Sequence, residues 1–109
     1  MSTNFEATEP ERAQVDARRG PLLLEFGSPG CGWCRRAQPL IEQALDAHPE
    51  VPHLKVADGP GQPLGRSFRA KLWPTLGFLR DGGEVARAVR PSSPAEVDEG
   101  LGRIVAERP

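Results

Sequence analysis

The sequence predicts an α/β layer fold with a mixed sheet, and three observations carry that prediction. Helical and extended patterns alternate along the 109 residues in the order αβαβαββα. The run Leu22-Leu23-Leu24 is apolar without alternation, as in a strand covered on both faces. Asp81-Gly82-Gly83-Glu84 has hairpin turn chemistry, which adds an antiparallel pair to a sheet otherwise built through helical crossovers.

The elements follow in order. Thr8-Glu9-Pro10-Glu11 fits a capping box with proline in the first turn, so a short helix is expected to about Arg19, ended by Gly20-Pro21. Residues 22–27 read as the central strand, interrupted by Glu25. From Trp33 the apolar positions 33, 37, 40, 41, 44 and 45 form a helical stripe, with Pro39 inside it as a kink and His48-Pro49 as its end. His53 to Ala57 is a second strand, and residues 58–63 form a turn-rich loop. Leu64 to Lys71 is expected as a short irregular helix, weakened by Gly65. Thr75 to Arg80 and Val85 to Arg90 are the hairpin strands, with Val85 and Val89 on one face. Ser93-Pro94-Ala95-Glu96 is a strong helix start, after which Val97, Leu101, Ile104 and Val105 turn to the core.

This length suits one domain, 1–109, with residues 1–8 expected as a loose N-terminus. Fourteen Lys and Arg balance fifteen Asp and Glu, and the twelve arginines are scattered, so no basic block marks a nucleic-acid or membrane partner. The first twenty residues lack the apolar core of a signal peptide. Two cysteines are too few for a disulfide scaffold. The expected setting is therefore a reducing cytoplasm, where a cysteine pair is catalytic or metal-binding rather than structural.

Those two cysteines lie in Ser28-Pro29-Gly30-Cys31-Gly32-Trp33-Cys34-Arg35-Arg36, where a strand feeds a helix. A Cys-x-x-Cys at such a junction reads as a dithiol/disulfide site. The positive end of the helix favours a thiolate on Cys31, the candidate nucleophile. Cys34, one turn further in, is close enough to resolve a mixed disulfide and should be the more buried thiol. Gly32 lets a substrate backbone approach, and Trp33 is either an exposed docking platform or a core anchor on the helical stripe. Arg35 and Arg36 read first as a solvated face.

Four features in order and spacing make the chain resemble the thioredoxin family from about Val15 onward. Cys31-Gly32-Trp33-Cys34 stands at the redox motif. Pro39 lies five residues after the second cysteine, at the family's helix proline. Glu25 stands six before the first cysteine, where the family has a buried Asp. Trp73-Pro74-Thr75 looks like the cis-proline motif. The resemblance implies a thioredoxin-like fold, with helices on both faces of the sheet, and a thiol–disulfide oxidoreductase acting on protein disulfides. It implies no bound cofactor beyond the Cys31/Cys34 disulfide. Its partners would be protein clients and an electron donor, either a thioredoxin-reductase-like protein or a small thiol, and the chain would act as a monomer.

The resemblance also assigns roles to residues. Pro74 would be cis, pack against the disulfide and leave the Trp73 backbone free to pair with a substrate, beside Thr75. Glu25, buried, would exchange the proton of Cys34, with Lys55 as its partner in the family's manner. The departures are Gly30 for a tryptophan, Trp33 for a proline, and Arg90-Pro91 where a small glycine is usual on the docking surface. With Trp73, Arg90 makes that surface bulkier and more charged.

Two rival readings stand beside this one. The first is a thioredoxin-fold binding module with incidental redox activity. The second is structural zinc on Cys31, Cys34, His48 and His53, whose spacing fits a two-Cys, two-His site. Pro49 and Pro52 break the helix such a site needs, and the helix after Cys34 would carry His48 about 20 Å away. A surface location suffices for both histidines.

Overall fold

The computed structural model describes residues 4–105. Its elements are α1 (Arg12–Asp16), β1 (Pro21–Gly27), α2 (Gly32–Asp46), β2 (His53–Ala57), α3 (Pro63–Ser67), β3 (Thr75–Arg80), β4 (Gly83–Val89) and α4 (Pro94–Val105). The sheet order is β2-β1-β3-β4, with β1 parallel to β2 and antiparallel to β3, and β3 antiparallel to β4. The sheet is mixed, as the alternation of elements and the hairpin turn require.

The leucine run forms the middle of this sheet. Leu23 faces a core with Ala37, Ile41 and Ala44 of α2 and Val97, Leu101 and Ile104 of α4. Leu22, Leu24 and Phe26 face the other way, against Val15 of α1, Leu64 of α3 and Phe68. Both faces are covered, which is why the strand does not alternate; each fully buried leucine contributes about 2 kcal/mol. Glu25 shares the α2/α4 face with Leu23 and is wholly buried.

Several local expectations shift. Helix α1 begins at Arg12, because the capping box forms one turn later: Gln14 Oε1 accepts the Glu11 N–H at 2.8 Å. Glu9 is drawn away, and its carboxylate accepts the Leu64 N–H at 3.0 Å, capping α3 instead. Helix α3 stops at Ser67 rather than Lys71, and Arg69 takes a left-handed φ of 59°. Its Gly65 is required by packing, since a Cβ there would lie 2.3 Å from Asp58 Oδ1. In β4 the valines face solvent while Ala86 and Ala88 pack on the core.

The N-terminus is not loose at residues 5 and 6. Phe5 bridges Lys55 in parallel, and the Glu6 N–H donates to the Lys55 carbonyl at 2.8 Å, so this segment pairs with the outer edge of β2. Residues 1–3 of the expected loose stretch lie outside the described residues. No helix among the described residues is long and apolar enough to cross a membrane.

Candidate active site

Strand β1 delivers the chain to the sheet's C-terminal edge, and Ser28-Pro29-Gly30 turn it into α2. Cys31 is the N-cap of that helix, with extended backbone (φ −84°, ψ 119°), and its sulfur accepts the Cys34 N–H at 3.1 Å. A sulfur thus fills the capping place usually taken by a serine or aspartate oxygen, at the positive end of a 15-residue helix. The Cys31 sulfur sits where the first N–H groups and the dipole of α2 converge.

The two thiols are unequal. Cys31 is partly exposed, whereas Cys34 is only 4% exposed. The Cys34 thiol is pushed up to about 12, first by burial, then by its hydrogen bond with Cys31; the charges of Cys31 and Glu25 add to this, and a backbone bond at Ser28 opposes it. Gly27 makes room for the Cys34 sulfur, because a Cβ at residue 27 would lie 2.8 Å from it.

Under this pair sits a buried polar cluster. Glu25 Oε2 accepts from Gln38 Nε2 at 3.1 Å, and Glu25 Oε1 is 2.8 Å from His53 Nε2. The His53 side chain is 7% exposed and Glu25 is fully enclosed. With the carboxyl ionised, the His53 N–H donates to it, so both carboxylate oxygens hold a donor. The expected partner Lys55 is the Cα neighbour of Glu25 in the register, but its ammonium instead lies 4.6 Å over the Phe5 ring. The surface reading of His53 is therefore wrong. Two residues before Lys55 on a strand, it points to the same face and reaches the carboxylate first. His48 is bound elsewhere, 2.9 Å from Asp98.

Across from the cysteines lies the Trp73-Pro74-Thr75 segment, whose Trp73–Pro74 peptide bond is cis. Two of its carbonyls are engaged: the Trp73 carbonyl accepts from Arg90 Nε at 2.8 Å and the Pro74 carbonyl from the Arg90 N–H at 3.0 Å. Thr75 is buried, and its hydroxyl donates to the Leu72 carbonyl, so it shapes the loop instead of facing a client. The Trp73 indole N–H donates to Asp58 at 2.9 Å. Trp33 is 46% exposed, so it is not a core anchor. The Arg90 guanidinium lies over the Trp33 ring, 4.5 Å from its centre, and joins the motif to the proline loop. Gly32 is exposed beside it.

Sequence reasoning missed His53, Gln38 and Asp58. Gln38 had a legible signal: it is four residues after Cys34, on the same helical face. Among the described residues no group of three or more His, Cys, Asp or Glu side chains is placed to hold a metal ion. The four residues of the zinc spacing are divided, with His48 on Asp98 and His53 on Glu25.

Known proteins share this fold. The Thioredoxin family model matches residues 4–101. The structure of thioredoxin 2 from Pseudomonas aeruginosa PAO1 in its reduced form superposes with a TM-score of 0.86 at 52% identity, covering 96% of this chain and 97% of that one. Putative thioredoxin 2 of Streptomyces coelicolor is 30% identical over 94 residues, 85% of this chain and 68% of its own length. Protein disulfide-isomerase A2 of Pongo abelii is 43% identical over 65 residues, and the match spans 12% of that longer protein. With its fold, its cysteine pair at the start of α2 and its proline loop all in place, the chain belongs to the thioredoxin family.

Proposed function

We propose that the protein is a thiol–disulfide oxidoreductase that reduces protein disulfides by cycling Cys31 and Cys34. The observation that carries this is the asymmetry of the pair: an accessible sulfur held at a helix start, beside a buried thiol pushed up to about 12. The Cys31 thiolate attacks one sulfur of a client disulfide. The client S–S bond breaks, one client thiolate leaves, and a Cys31–client mixed disulfide remains. Cys34 then gives up its proton and attacks the Cys31 sulfur. The second client thiolate leaves, the Cys31–Cys34 disulfide closes, and two electrons have passed to the client. Glu25, buried beneath the pair, is the acceptor for the Cys34 proton.

The redox group is the cysteine pair itself, and electrons return from a reductase or a small thiol. We place this cycle in the cytoplasm and in a monomer. A chain that commits both its cysteines to one motif suits a reducing compartment. The direction of net electron flow is a difference of potentials, where about 30 mV shifts a two-electron equilibrium tenfold.

The test is turnover of insulin disulfides with dithiothreitol as donor. The wild-type protein accelerates the reaction and Cys31→Ser abolishes it. An unchanged rate in Cys31→Ser would overturn the assignment.

A further inference from the structure

Two guanidinium groups lie over Trp33 at the start of α2, and a third lies beside Gly32. Arg36 lies over the indole ring at 4.9 Å and Arg90 at 4.5 Å. Arg35 Nη2 lies 3.9 Å from where a side chain on Gly32 would begin. None of the three joins an ion pair among the described residues, whereas Arg12 is paired with Asp16 and Arg87 with Glu84. Arg90 uses its Nε on the Trp73 carbonyl, and no Nη of Arg35, Arg36 or Arg90 has a hydrogen-bond partner among the described residues. The chain as a whole carries a net charge of −1, so this cluster is not overflow from a basic protein. It also opposes the dipole of its own helix, an arrangement that costs stability.

Stacking on an exposed indole and the bond to Trp73 hold the arginine planes in place before any client arrives. This limits the side-chain freedom lost on binding. A held guanidinium with free Nη groups matches a carboxylate. From the charge and this preorganisation we infer that the Trp33–Arg36–Arg90 surface, with Arg35, selects clients whose disulfide is flanked by acidic residues. The occupant is an extended polypeptide segment with Asp or Glu within a few residues of the attacked cysteine. This inference rests on the disulfide-exchange reading above and adds the class of client.

The test uses three peptides with one intramolecular disulfide each, identical except for flanking Glu, Gln or Lys. Single-turnover rates with the reduced full chain are divided by the rates of the same peptides with dithiothreitol, which removes their intrinsic reactivity. The expected Glu-to-Lys ratio is about tenfold or more at low salt and contracts as salt rises. Arg36→Gln combined with Arg90→Gln brings the ratio to within about twofold, while the charge-matched pair Arg18→Gln and Arg66→Gln, two exposed arginines elsewhere, keeps it. A wild-type ratio near one, or a ratio that survives loss of Arg36 and Arg90, overturns the inference even though all three peptides are reduced. So does a preference for glutathione disulfide without any Glu-to-Lys discrimination, which would assign the arginines to the carboxylates of a small-molecule disulfide. Failure to reduce any peptide, or insulin, would instead overturn the oxidoreductase reading and this inference with it.

Discussion

Cys31 and Cys34 have the same chemistry and opposite environments. Burial holds the Cys34 proton, so the thiol should stay unreactive where Cys31 reacts. At about pH 8, iodoacetamide should add once per reduced chain, at Cys31, as peptide mass mapping would show. Cys34 should become modifiable only as pH climbs toward its value of about 12. The sign for stability follows from the same shift. The folded thiol keeps its proton above the ordinary value of 9.0, so the reduced protein holds this stability below about pH 9 and loses it as pH rises toward 12. Urea midpoints across that window would check it. Glu25 depends on His53 in a comparable way. His53→Ala leaves a fully buried carboxylate oxygen without its donor and should cost about 2–3 kcal/mol in urea unfolding. Replacing both partners, Glu25→Leu with His53→Leu, should recover part of that loss, because neither member of the pair is then left buried without the other. A full loss in the double variant would mean that the pair's polarity is not what the fold depends on.

At the scale of elements, α4 shows how two glycines in one helix can differ. Both lower helical propensity. A Cβ on Gly100 would meet the Phe78 ring at 2.5 Å, and Phe78 is itself 1% exposed in the core between α4 and the sheet. Gly100→Ala should therefore destabilise by about 1–3 kcal/mol, overpacking outweighing the gain in propensity. A Cβ on Gly102 has nothing within 4 Å, so Gly102→Ala should stabilise by about 0.5–1 kcal/mol. Opposite signs in thermal unfolding would confirm the close approach of α4; equal signs would refute it. Element boundaries were legible where the signal was local. The apolar strand after Gly20-Pro21, the α2 stripe and the Asp81-Gly82 turn, with φ of 52° and 82°, need no distant partner to be recognised. Helix α1 was misplaced because its N-terminal carboxylate, Glu9, is used on a helix 55 residues away.

For the whole molecule, sheet order decides which side chains meet. β1 lies between β2 and β3, so Glu25 meets residues from two later parts of the chain: Gln38 from α2 and His53 from β2. The parallel register alone aligns Glu25 with Lys55, as the family resemblance implies. The side chains chose differently, because Phe5 closes the open edge of β2 and takes the Lys55 ammonium over its ring. Similarly, β4 ends at Val89, and Arg90 follows with a left-handed φ of 50°. That turn aims the Arg90 side chain back over Trp33 and onto the Trp73 carbonyl, coupling the motif to a loop about forty residues away in sequence.

The sequence by itself determined the order of elements, the covered central strand and the cysteine pair at a helix start. These depend on periodicity, turn chemistry and spacing, all of which act over a few residues. Only the tertiary structure decided that His53 rather than Lys55 holds Glu25. It also decided that Trp33 is exposed, that Thr75 is buried and that Arg90 occupies the Trp73 carbonyl. Each of these is a competition between partners distant in the chain. A buried carboxylate takes the donor that geometry brings within reach, and a carbonyl takes the donor held nearest to it, whichever residue pattern alone would have chosen.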